Sequence, residues 1–247
     1  TYGDTPDPAG PHPQIDSISQ NALIPRQAAN APGEGYHYSQ AGFVALGLMI
    51  ETVTGKLLAR VFEDRIFKRL GLANTRLAEK DATGLPVSYT YLFGAKAVGT
   101  NLLPSLNSLG SSAWSAGGVI STANDLMIYF QALLNGELLS PASMEQMMTW
   151  VVTNPDPEGW NLVQYYGLGF THKLRNGYSL RGHDGSMPGS GATMQYIDDA
   201  DVYVTATRNT EFYPEGDERA PVAGTADLME RIKRALYNES QAALLGQ

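Results

Sequence analysis

Residues 36–55 read Tyr36-His37-Tyr38-Ser39-Gln40-Ala41-Gly42-Phe43-Val44-Ala45-Leu46-Gly47-Leu48-Met49-Ile50-Glu51-Thr52-Val53-Thr54-Gly55, and this stretch decides how the rest is read. Phe43, Leu46, Ile50 and Val53 recur at spacings of three and four, which predicts one apolar face of a helix over 39–54. Ser39 is its N-cap, with a hydroxyl that can accept from an unpaired N–H of the first turn. Gly55 is the glycine that ends it in left-handed geometry. Tyr38 therefore stands at the start of a helix.

Downstream, Leu58, Val61, Phe62, Ile66 and Leu70 make a second helical stripe, ended by Gly71. Residues 72–117 are mixed and turn-rich. Thr122-Ala123-Asn124-Asp125 resembles a capping box ahead of Leu126, Tyr129, Phe130 and Leu133, and Asn135-Gly136 stops that helix. Ser140-Pro141 pairs a cap with proline at the first helical position and opens a short helix to about Trp150. The period then changes to two. Tyr165–Phe170, Tyr178–Gly182, Thr193–Ile197 and Val202–Thr207 are the predicted strands. Asp198-Asp199-Ala200-Asp201 is the turn of an antiparallel hairpin, and a last helix is expected over 225–236. Helices, then antiparallel strands, then a closing helix is an α+β order.

Upstream, residues 1–35 carry Pro6, Pro8, Pro11, Pro13, Pro25 and Pro32 and no sustained period, so no element is expected there. The composition is that of an ordinary globular chain: 247 residues, 43% hydrophobic and 17% charged. A net charge of −8 argues against a nucleic-acid partner, which needs clustered Lys and Arg. The chain has no cysteine, which removes disulfides, thiol nucleophiles and cysteine-based zinc sites together. No apolar run reaches the roughly 18 residues of a membrane span. Metal-binding spacings and phosphate-cradling glycine loops are also missing from the sequence, so no metal or organic cofactor is expected.

Of four histidines, His12 and His172 read as surface residues, and His37 should point away from its neighbour Tyr38. His183 lies in Arg181-Gly182-His183-Asp184-Gly185-Ser186-Met187-Pro188-Gly189, where glycines on both sides of a strand-end imidazole allow close approach of a ligand. A hairpin turn with a solvent-facing histidine fits that segment equally well. The nearest match to a G-x-S-x-G elbow is Ala113-Trp114-Ser115-Ala116-Gly117. It lacks the strand before and the helix directly after that such an elbow requires.

Together these segments resemble one family. Tyr36 to Phe43, followed by Leu46-Gly47, Ile50-Glu51 and Val53-Thr54-Gly55, is similar to the surroundings of the Tyr-x-Asn motif of class C β-lactamases. The same motif belongs to the penicillin-binding DD-peptidases and β-lactamase-like esterases. Leu70-Gly71-Leu72, Ala116 to Ala123, and Tyr166-Gly167-Leu168-Gly169 continue the resemblance in order. Gly182-His183-Asp184-Gly185 resembles the His-x-Gly form of the Lys-Thr-Gly strand motif. The resemblance implies an α+β fold, an antiparallel sheet flanked by helices plus a helical region. The 247 residues would then be the C-terminal part of one such domain, mostly helical over 36–160, with strands and a closing helix over 161–240. It leans toward an extracytoplasmic protein.

The resemblance also assigns roles. Tyr38 becomes the proton shuttle, because a phenol, a poor base in water, can move a proton next to cations. His183 becomes the strand-side donor to Tyr38 or to a substrate carboxylate. The Ser186 backbone N–H becomes half of an oxyanion hole, with Asp184 and Gly185 lining the substrate edge. Gln40 stands where the family has Asn, one methylene longer, which shifts the expectation toward esters. The family's Ser-x-x-Lys is missing: no serine here is followed three residues on by lysine.

Three readings follow. In the first the chain is part of a serine hydrolase for carboxylic esters, D-Ala peptides or β-lactams. Its Ser and Lys are then supplied by an N-terminal companion segment or chain. In the second it is a catalytically deficient binding or structural relative. In the third Ser115 serves an unrelated hydrolase.

Overall fold

The computed structural model describes residues 31, 35–78, 113–154, 162–175, 178–187 and 190–209. The expected irregular stretch before residue 35 (residue 31 apart) and the expected helix over 225–236 lie outside these. Helix α1 spans Gln40–Thr54, with the Ser39 hydroxyl accepting from the Gly42 N–H and Gly55 closing it at φ 64°. Both ends fall where local chemistry puts them. Helix α2, Leu58–Leu70, follows at a bend of 79° and contains a π-helical turn at Glu63–Phe67 that no local pattern announced. Its first N–H, on Leu58, donates to the buried Glu51 carboxylate at 2.7 Å, so α1 caps α2 through a side chain.

The face that α1 turns inward differs from expectation. Val44, Gly47 and Glu51 are buried, while Leu46 and Val53 of the expected stripe are exposed. Glycine sets this face. A Cβ on Gly47 would meet Ser115 Oγ at 2.6 Å and the Trp114 ring at 2.9 Å, so the helix approaches the 3₁₀ turn Trp114–Ala116 through its glycine. Val44, Leu58, Leu77 and Trp114 form the core there.

Strands β1 (Arg76–Leu77) and β2 (Val119–Ile120) pair antiparallel. Helix α3, Ala123–Leu134, starts at the Thr122 cap. The other half of the expected capping box does something else: Asp125 accepts from the Asn74 N–H and the Thr75 hydroxyl, both at 2.8 Å, tying the exit of α2 to α3. Helix α4, Pro141–Met147, is shorter than expected.

Six strands then make one antiparallel meander in the order β3-β4-β5-β6-β7-β8: Val151–Asn154, Leu162–Tyr166, Thr171–Arg175, Tyr178–Met187, Ser190–Ile197 and Val202–Arg208. The predicted strand 165–170 is in fact the end of β4 and the tight turn Gly167–Phe170, closed by a Gly167 N–H to Phe170 C=O bond of 2.8 Å. Helix α3 covers the β7–β8 side, where Phe130 packs edge-on against Tyr203 and the Thr205 hydroxyl donates to the Ala123 C=O. His172 is not a surface residue. It lies half-buried beside the Trp150 and Tyr165 rings and pairs with the Ser179 hydroxyl at 2.9 Å.

Candidate active site

The meander brings distant residues to one edge. Strand β5 begins at Thr171, opposite Gly182, so among the described residues no strand lies on that side of β6 from His183 to Met187. His183 is thus inside a strand, not in a hairpin turn, and the strand flanks an open edge. The segment leading into α1 arrives there, and its Tyr36 and Tyr38 pack on Tyr166 of β4 with ring centroids 5.2 and 6.0 Å away. An open cleft of about 200 Å³ results, lined by Tyr36, Tyr38, Gln164, Tyr166, Thr171, Lys173, His183 and Asp184.

His183 is held at both nitrogens. Nε2 lies 2.9 Å from the Tyr166 hydroxyl, and Nδ1 lies 2.7 Å from the Asp184 backbone oxygen. Burial lowers the His183 pKa below its ordinary value against the opposing effects of the Asp184 carbonyl and carboxylate; Lys173 lowers it further. Burial, reinforced by the neighbouring phenols of Tyr38 and Tyr36, pushes the Tyr166 hydroxyl well above the usual phenol range. Tyr166 therefore stays a neutral hydroxyl.

Asp184 is fully engaged. One carboxylate oxygen takes Lys173 and the other takes the Thr193 hydroxyl and, at 3.1 Å, the Gln195 amide. Burial pulls its pKa up, but Lys173 and these donors outweigh it and hold the carboxyl below the ordinary value. Asp184 thus braces β6 against β5 and β7. Both its oxygens already accept hydrogen bonds from the protein.

The backbone adds a donor. The Asp184 C=O accepts from its own neighbour's imidazole, so it faces away from β7. Alternate residues of an antiparallel strand direct both backbone groups to the same side. The Ser186 N–H, two residues on, therefore points to the open edge. A Cβ on Gly185 would meet nothing within 4 Å, which leaves that edge clear.

Tyr38, His183 and Asp184 are thus brought together, with Gly185 and Ser186 beside them. Gln40 is exposed at the first position of α1 and does not line the cleft. Ser115 is elsewhere, donating to the Phe43 C=O at 2.9 Å beneath α1, a packing role. Sequence reasoning missed Tyr36, Gln164, Tyr166, Thr171 and Lys173. Of these, Tyr36 and the phenol before Gly167-Leu168-Gly169 carried a signal, as parts of the quoted resemblance. Among the described residues no cluster of His, Asp and Glu has the arrangement to hold a metal.

The sequence matches the Beta-lactamase family over residues 13–227. The chain belongs to that family. It is 28% identical over 214 residues to the unguisins hydrolase ungD' of Aspergillus campestris, covering 85% of this chain and 39% of that protein. A penicillin-binding protein from Bacillus halodurans superposes with a TM-score of 0.68 at 25% identity, over 90% of this chain and 62% of the other. A D-stereospecific amidohydrolase from Streptomyces sp. follows at 0.61 and 30%, over 75% and 53%. The chain spans about two fifths of the curated relative's length. The β-lactamase-like α+β fold expected from the sequence is the fold observed, and hydrolases are among these family relatives.

Proposed function

We propose that this chain forms the proton-shuttling and oxyanion side of a serine hydrolase that works by acyl transfer, most suited to carboxylic esters. The nucleophilic serine and its lysine come from a companion segment outside these 247 residues, which themselves form the C-terminal part of a β-lactamase-like domain. The supporting observation is the meeting of Tyr38, Tyr166 and His183 at one cleft beside the open edge of β6. In this mechanism the serine oxygen adds to the ester carbonyl, and its proton passes to the lysine. The developing oxyanion takes the Ser186 N–H, a contribution on the order of 3 kcal/mol for such a donor. Tyr38 protonates the departing alkoxide and regains a proton from the lysine, and water then repeats the cycle on the acyl-serine.

The ester preference has a physical basis in Lys173. It is the cation lining the cleft among the described residues, and Asp184 already neutralises it. D-Ala peptides and β-lactams carry a carboxylate that would need such a charge, so they rank second. An activated phosphonate tests the reading. A covalent adduct on a serine of the companion, lost on Tyr38→Phe or slowed by about a hundredfold or more, supports it. No adduct in material containing both parts favours the second reading, a binding or structural protein, which the missing Ser-x-x-Lys motivates.

A further inference from the structure

The two contacts of His183 fix the direction of its hydrogen bonds. A backbone oxygen only accepts, so the Nδ1 atom 2.7 Å from the Asp184 C=O must carry a proton. A neutral imidazole has one proton, which leaves Nε2 a bare acceptor. The Tyr166 hydroxyl at 2.9 Å must then donate to it. With its proton spent there, the Tyr166 oxygen offers lone pairs to the cleft that it lines.

We propose that Tyr166 is a positioning residue whose O–H donates to Nε2 of neutral His183 and so supports the Nδ1–H tautomer that the Asp184 C=O selects. The strand-side rim of the cleft then presents a hydrogen-bond acceptor where the motif alone suggested a donor. The inference bears on the hydrolase reading above, whose strand-side group it redefines, yet its geometry stands without a nucleophile. Groups facing the imidazole are Tyr36 and Tyr38 from the segment before α1, Tyr166 on β4, Lys173 on β5 and Asp184 on β6 itself. None of these offers Nε2 a second fixed donor among the described contacts. Protonation of His183 reverses the bond: Nε2–H donates to the Tyr166 oxygen, whose O–H turns toward the cleft.

Nitrogen-15 NMR of the full chain reads this directly, with His183→Asn assigning the signal. At pH 8 the expected pattern is a protonated Nδ1 and an unprotonated Nε2. Tyr166→Phe should shift part of the population to the Nε2–H form. A chain carrying 3-fluorotyrosine, a stronger donor with the fold kept, should move the His183 Nε2 resonance, and Tyr166→Phe within the fluorinated chain should remove that move. A protonated Nε2 in the unaltered chain overturns the proposal, as does an identical pattern in the fluorinated chain. Phosphonate labelling fails or succeeds independently of these signals, so the two readings can fall separately.

Discussion

At the scale of single residues, burial acts on His183 and His172 in the same sense, lowering both below the ordinary 6.5. An imidazole of depressed pKa binds fewer protons in the folded chain than in the unfolded one. Its stabilising contribution is therefore fully present above about pH 6.5 and lost as the pH falls through the folded value. Asp184, held below 3.8, adds a second loss at more acid pH in the same direction. The melting temperature should thus decline on acidification from neutrality. His183→Asn and His172→Asn should each flatten the part of the decline that begins near 6.5, as calorimetry across pH 4–8 would show. Ser115→Ala makes the opposite kind of test. It removes the bond to the Phe43 C=O and should cost about 1 kcal/mol by denaturant titration. Any hydrolytic rate should stay unchanged, because the hydroxyl is tied down under α1. Ser115 was readable as a poor nucleophile from its flanks. The grip on His183 was not readable, since Tyr166 reaches it only through the β4–β5–β6 register.

Elements were legible where their ends are local. Ser39 and Gly55 bound α1, Thr122 opens α3, and the Asp198–Asp201 turn joins β7 to β8, because caps and turns act within a few residues. The period was less informative in the sheet: the apparent strand over 165–170 hid a turn, and β6 runs on to Met187. A strand that continues past its neighbour looks no different in sequence from one that stops. The glycines on either side of His183 separate these roles. A Cβ on Gly182 would lie 1.9 Å from the Met194 backbone oxygen and 3.0 Å from Gln195 Cα. Backbone cannot rotate aside as a side chain can. Gly182→Ala should therefore force β6 from β7 and cost about 2–3 kcal/mol, the upper range of overpacking. Gly185→Ala meets open space and should unfold within about 0.5 kcal/mol of the unaltered chain. Equal losses in the two variants would show that the edge of β6 is not open.

For the molecule as a whole, α1 carries two apolar faces and the described structure uses one. Val44, Gly47 and Glu51 face Trp114 and α2, while Leu46, Met49 and Val53 are 51%, 60% and 84% exposed. The sequence stripe was real but divides: Phe43 and Ile50 are half-buried, Ile50 against the Val44 and Trp114 core, while Leu46 and Val53 are left uncovered. Under the proposed function the companion that brings Ser and Lys covers this face. Tyr38 lies two residues before α1, so such a partner would sit beside the proton shuttle. Burying a large aliphatic side chain contributes about 1.5–3 kcal/mol, so three of them can dominate an association. Leu46→Glu, Met49→Glu and Val53→Glu together should abolish co-purification with the companion and with it the phosphonate adduct. The melting temperature of the isolated chain should barely move, since all three are at least half exposed among the described residues. A triple variant that keeps its partner would place the companion elsewhere, and one that unfolds the isolated chain would show that α1 already spends this face on its own core.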